Sequence, residues 1–245
     1  IQYNKKNYNN LNNNIIKNQL AFSRSFFNKK EIQEIYENLI QQLYNKQIIS
    51  NTVTERSDIG SIIKIYPKDN VTNLKTISPN IPDKLLLLEK FLFEKFDILK
   101  LTRIQIVDTL QNPQDKNIIP FCLHTDRLIF IKVMIYLMDV EIENGPLHIV
   151  PVNSNGLEKI ITYKNNFYEK YKENWIKLPY RIDSELDTLA MEGPIGSVVL
   201  FNGHIPHNAG KLKNKKIRKV IILDYENHKQ YNWRKNNNII SGKDF

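Results

Sequence analysis

The chain has 245 residues, 41% of them hydrophobic and 10% aromatic, which suits a soluble globular protein with one sizeable core. Its net charge is +9, but the lysines are dispersed and come with abundant Asn, Ile and Tyr. That pattern reflects coding bias and argues against nucleic acid as the partner. No run reaches the ~18 apolar residues of a membrane span, and residues 1–10 hold no apolar secretory core. The single cysteine, Cys122, excludes an internal disulfide, so the expected setting is a reducing cytoplasm without a membrane partner.

Residues 1–19 are Asn-rich and read as an arm. A helix is expected from Lys29 to Asn45, because Ile32, Ile35, Tyr36, Leu39, Ile40 and Leu43 recur at helical spacing. Asn28, with Glu31 three residues on, forms a capping box. A second helix runs from about Pro82 to Asp97, with Leu85, Leu88, Phe91, Leu92 and Phe96 inward and Pro82 in its first turn. The segments 62–66, 101–107, 129–138, 147–151, 197–201 and 219–225 are short and rich in Ile, Val, Phe and Tyr, and they read as strands. Asn144-Gly145-Pro146 and Gly193-Pro194 are turns.

Many short strands without alternating helices predict an antiparallel sandwich or barrel. Residues 153–192 interrupt the strands as a polar, Tyr-rich insertion of the kind that forms a lid. No linker divides the chain. The expectation is one domain: helical support and first strands over 20–100, the core over 101–226, and a polar tail over 227–245.

Chemistry concentrates in two segments. In FCLHTDRLIF (121–130), His124 and Asp126 are two apart, which on an extended strand puts both on one face. Cys122 would share that face, yet its neighbours Phe121 and Leu123 favour a packing role. The second segment, FNGHIPHNAG (201–210), offers His204 and His207. Two imidazoles and one carboxylate on one face of a metal leave three positions open, a set that favours Fe(II) in an oxygenase. Arg218 follows His207 by eleven residues and precedes an apolar strand. A guanidinium pairs bidentately with a carboxylate.

HTD (124–126), NGPLHIVPVNSN (144–155), FNGHIPHNAG (201–210) and Arg218, in this order, resemble the phytanoyl-CoA dioxygenase family of Fe(II)/2-oxoglutarate oxygenases. The resemblance spans about residues 100–226. It implies a double-stranded β-helix, or jelly roll, with N-terminal helices packed on one sheet. It implies His124, Asp126 and His207 as iron ligands and Arg218 as the clamp for the far carboxylate of 2-oxoglutarate. O₂ would be the oxidant, and succinate and CO₂ the co-products. His207 is preferred over His204, because His207 has the arginine at the family distance and is followed by Asn-Ala-Gly.

The chain departs from the family at PVNS (151–154), where the pattern is P-G-S-H, and at Ala209, where a small hydroxyl residue is frequent. Asp126 is retained where halogenating relatives carry a small residue, which points to hydroxylation or a related oxidation.

Further pocket candidates come from strand alternation. Lys132 interrupts an apolar strand and is a candidate for binding a co-substrate carboxylate, because a buried unpaired charge is costly. Met134 and Tyr136 share its face. Arg103 and Gln105 alternate with apolar residues and together face either the cavity or solvent. His148 lies on an expected strand, and Tyr168, with Tyr163, Phe167, Tyr171 and Trp175, lies in the insertion. His228 falls in the polar tail and reads as solvated. The expected partner is a small-molecule substrate. The rival readings are a cupin-type isomerase or hydrolase indifferent to 2-oxoglutarate, and a basic jelly-roll binding module.

Overall fold

The computed structural model describes residues 20–114, 119–126, 130–151, 182 and 186–236. Strand β1 (Leu20–Ser23) leads into helix α1 (Lys29–Gln41), then the hairpin β2 (Ile49–Ser57) and β3 (Gly60–Pro67). The short helix α2 (Leu74–Ile77) and the longer α3 (Asp83–Phe96) come next. The remaining strands are β4 (Ile98–Thr109), β5 (Phe130–Tyr136), β6 (Leu147–Ile149), β7 (Leu189–Ala190), β8 (Val198–Asn202), β9 (His207–Ala209) and β10 (Arg218–Asn227). Helix α4 (His228–Asn236) follows.

The strands form two sheets, ordered β1-β8-β5-β10-β4-β3-β2 and β7-β6-β9. Their pairings are antiparallel, as the scarcity of crossover helices predicts. Alternation along the large sheet splits its residues between two cores. Val133, Ile135, Val198, Leu200, Ile221 and Leu223 face the helices and pack with Ile35 and Leu39 of α1 and Leu85, Leu88 and Leu92 of α3. Met134, Tyr136, Val199, Phe201 and Val220 face the small sheet and pack with Leu147 and Ile149. A one-residue register slip would exchange the two sets, so the pattern fixes the pairing.

Most expected elements are present. The Asn28–Glu31 capping box closes at 2.9 and 2.8 Å. Helix α1 stops at Gln41 instead of Asn45. The Thr52 hydroxyl donates to the Leu43 carbonyl at 2.6 Å, which turns the chain while Leu43 stays in the core. Pro82 is the N-cap of α3. Strands β1, β2, β7 and β9 were not expected. β2 (ISNTVTERS) is a largely exposed edge strand without apolar alternation, and β7 and β9 are too short for a periodic signal. The expected polar tail contains α4. The segments 1–19 and 153–181 lie outside the described residues.

Candidate metal centre and co-substrate cavity

The segment 119–126 is tied to β9 by backbone bonds. His124 and His207 exchange both N–H···O bonds, at 3.0 and 2.8 Å, and Ala209 N–H donates to the Pro120 carbonyl at 2.8 Å. Such a pair holds two side chains on the same side of the ladder. Their ring centroids are 4.4 Å apart. His124 and Asp126 do converge, but not on a regular strand: His124 is an isolated bridge residue, and Asp126 follows in irregular chain. Asp126 is placed by its own N–H, which donates to the Gly203 carbonyl at 2.8 Å. A Cβ at Gly203 would lie 2.1 Å from Asp126 Oδ2, so the carboxylate needs the missing side chain.

One ligand atom from each of His124, Asp126 and His207 falls within 4.8 Å of the others. His124 Nδ1 lies 2.9 Å from the Cys122 carbonyl, and His207 Nδ1 lies 2.7 Å from the Ile205 carbonyl. A carbonyl only accepts, so both Nδ1 atoms carry the proton and both Nε2 atoms keep a lone pair for a metal. Burial, and then His124, push the His207 imidazole down to about 3, which keeps it neutral. Burial alone would raise the Asp126 carboxyl, but Lys132, His207 and His124 together hold it well below the usual carboxylate range. Asp126 Oδ2 is buried, with the Lys132 ammonium 2.9 Å away. Two neutral nitrogens and one ionised carboxylate, with a glycine-cleared space beside it, fit a divalent iron.

The triad opens into a cavity of about 490 Å³. Its apolar wall includes Ile62, Val107, Met134, Leu147, Phe201 and Ile222, and Ala209 lies beside His207. Arg218 lines the cavity at 6% exposure. Its guanidinium donates to the Gly145 carbonyl and, at 3.3 Å, to Thr109 Oγ1. Both acceptors are neutral, and among the described residues no carboxylate pairs with Arg218. Burial pushes its pKa down to about 10, so the cation lacks the anion that would compensate its desolvation. The turn 144–146, expected to be purely structural, thus supplies a carbonyl that orients Arg218.

Lys132 also lines the cavity, but its ammonium is engaged by the chain itself. It lies 3.0 Å from Asp126 Oδ1 and 2.9 Å from Oδ2. Arg103 and Gln105 face the cavity rather than solvent, and both bond Asp224 Oδ2, at 2.6 and 3.0 Å. Burial opposes the charge of Arg103, and Asp224 more than restores it.

Tyr136 and His148 do not line the cavity. The Tyr136 hydroxyl donates to the Met191 carbonyl at 2.6 Å between the two sheets, and burial pushes it up to about 12. His148 alternates with Leu147 and Ile149, so it leaves by the other face of β6 and meets Thr188 Oγ1 at 3.1 Å. His204 is buried in the turn before β9 and is not part of the triad. His228 is exposed, as expected, with Nε2 at 3.9 Å from Asp97. Cys122 serves the site through its backbone carbonyl. Tyr168 lies outside the described residues.

Asp224, Gly203 and Thr109 were missed. Asp224 was legible in principle: it follows Val220 and Ile222 at period two, on the face that carries Lys132.

The fold is that of the double-stranded β-helix, and His124, Asp126 and His207 together could hold a metal ion. Residues 114–220 match the family model of phytanoyl-CoA dioxygenase (PhyH). Among solved structures, the chain is similar to the epimerase SnoN in complex with Fe3+, alpha ketoglutarate and nogalamycin RO. That match has 13% identity, covers 91% of this chain and 85% of the other, and has a TM-score of 0.56. A prolyl hydroxylase from Trichoplax adhaerens, in complex with a hypoxia inducible factor peptide fragment, matches at 13% identity. It covers 92% of this chain and 91% of that one, with a TM-score of 0.53. At these identities the likeness concerns the fold. No curated protein matches the sequence. Among the described residues, no helix is long and apolar enough to cross a membrane.

Proposed function

We propose that the protein is an Fe(II)- and 2-oxoglutarate-dependent dioxygenase that hydroxylates, or otherwise oxidises, an unactivated C–H bond of a small metabolite or natural-product intermediate. One juxtaposition carries the reading: the His124–Asp126–His207 cluster shares a cavity with Arg218, a buried cation whose acceptors among the described residues are neutral. Iron and 2-oxoglutarate, when bound, supply the oxidising chemistry, with O₂ as oxidant and succinate and CO₂ as co-products.

The chain's residues supply the rest. His124, Asp126 and His207 present three ligands on one side and leave the other side free. Arg218 holds the far carboxylate of the co-substrate, with Gly145 and Thr109 fixing the guanidinium plane. Apolar side chains of Met134, Phe201, Val220 and Ile222 exclude water from the reacting end. Arg103, Gln105 and the Lys64–Glu55 pair line the cavity as well and offer polar contacts to a substrate.

The test is a screen of small metabolites read by succinate release. A true substrate accelerates release in the wild type. Release should vanish in His124→Ala and persist in His204→Ala, and the reverse pattern would overturn the assignment. An isomerase or hydrolase on this fold would consume no 2-oxoglutarate.

A further inference from the structure

Three charged groups stand in a row on the inner face of the large sheet. The register places Asp224 of β10 opposite Lys132 of β5 on one side and Arg103 of β4 on the other. All three are largely buried, with side-chain exposures of 9% for Lys132, 0% for Asp224 and 14% for Arg103. A buried row of charges persists only if each charge is answered.

The answer is uneven. Asp224 Oδ2 takes both Arg103 Nε and Gln105 Nε2, whereas Asp224 Oδ1 is buried and takes no hydrogen bond among the described residues. Lys132 Nζ is 3.9 Å from that oxygen and about an ångström closer to each oxygen of Asp126. The ammonium thus straddles the Asp126 carboxylate, at 3.0 Å from Oδ1 and 2.9 Å from Oδ2. One ammonium is therefore shared unequally between a carboxylate of the metal triad and a carboxylate anchored to the sheet.

We propose that Lys132 is a positioning residue of the metal centre: it holds the Asp126 carboxylate at both oxygens and so keeps it from chelating the metal, and Asp224 sets how strongly it does so. The inference rests on the metal-centre reading above. A carboxylate bound through one oxygen keeps three metal positions open, and a carboxylate that chelates through both closes one of them. The ammonium also opposes a divalent ion bound to the same carboxylate, and Asp224 relieves that opposition by drawing charge away. The Phe201 ring centroid lies 6.0 Å from Nζ, and Met, of similar length, can replace the lysine stem beside it.

The two partners have opposite expected effects. Lys132→Met removes the opposing cation and frees both oxygens of Asp126, so metal binding tightens. Asp224→Asn leaves the ammonium wholly to Asp126, so metal binding weakens. In the double variant the Asp224 effect disappears, because it acts through Lys132.

The experiment is anaerobic calorimetric titration of the metal-free proteins with Co(II), with the Co(II) visible spectrum recorded at saturation. The expected shift is roughly tenfold in each direction, the low end for groups that contact a metal ligand from behind. Lys132→Met should also change the visible spectrum as Asp126 closes an open position, and Lys132→Arg should restore the wild-type spectrum. If wild-type protein takes up no Co(II), the metal-centre reading fails and this inference with it. If wild type binds and Lys132→Met binds equally well or more weakly, this inference alone fails. Lys132→Met needs only a wild-type circular dichroism spectrum to be read, so the test stands even if Asp224→Asn does not fold.

Discussion

His124 and His207 exchange both backbone hydrogen bonds, at 3.0 and 2.8 Å, although they lie in different segments far apart in the chain. The pairing matters more than the tripeptide spacing of His124 and Asp126. It sets two of the three candidate ligands by backbone geometry, and each ring is locked through Nδ1 by a carbonyl two residues before it. The site is thereby preorganised, with little side-chain entropy left to lose on metal binding.

Gly203 tests that preorganisation. Its Cβ would meet Asp126 Oδ2 at 2.1 Å, while its backbone is not in the left-handed region. Gly203→Ala should therefore displace the carboxylate without straining the turn. Metal affinity should fall roughly 10–100-fold, the range for disturbed ligand support. The melting temperature of the metal-free protein should stay within a few degrees, and a large drop would show that Gly203 serves the fold instead.

Arg218 should act on the co-substrate and not on the metal. Arg218→Met keeps the stem and removes the charge. The Michaelis constant for 2-oxoglutarate should rise about 30-fold or more, as expected when a buried charge-assisted pair worth roughly 2–3 kcal/mol is lost. Co(II) affinity measured without 2-oxoglutarate should be unchanged. Loss of both would mean that Arg218 holds the cavity together.

Glu89 gives the fold a pH signature remote from the site. It is 5% exposed, accepts from Leu74 N–H at 2.9 Å and bonds the Tyr225 hydroxyl at 3.1 Å. Burial pushes its carboxyl from 4.5 up to about 7 against both hydrogen bonds. The folded state thus keeps a proton that the unfolded chain releases, so stability falls as pH rises from about 4.5 to 7. The contribution is on the order of 3 kcal/mol. Urea unfolding at both ends of this window should show that loss in the wild type and a flatter profile in Glu89→Gln. Equal slopes would place the proton elsewhere.

The sequence carried the helices best, because capping and periodicity are local. Asn28→Ala should cost about 1 kcal/mol, the usual value of an N-cap. It should lower the melting temperature by roughly 2–4 °C for a chain of this size, and no change in a thermal melt would count against the capping box.

The triad residues and Arg218 were legible as a set of types and spacings, but their convergence was not. It depends on β9, a three-residue strand with no periodic signal, and on a glycine whose role is to be absent from one point in space. Tyr136 was expected in the cavity because it shares a face with Lys132 and Met134, but that face passes from cavity to inter-sheet core along the strand. Lys132 was expected to seek a carboxylate. The carboxylates it meets are Asp126 and Asp224, and Asp224 was hidden in a strand read only for its apolar residues.

The most direct test of the central claim is anaerobic titration of the metal-free protein with Fe(II) and then 2-oxoglutarate, following the weak visible charge-transfer band of the chelate. The account expects one Fe(II) per chain and a band that saturates with 2-oxoglutarate in wild type and His204→Ala, but not in His207→Ala. A band that survives in His207→Ala and is lost in His204→Ala, or no band in the wild type, would contradict it.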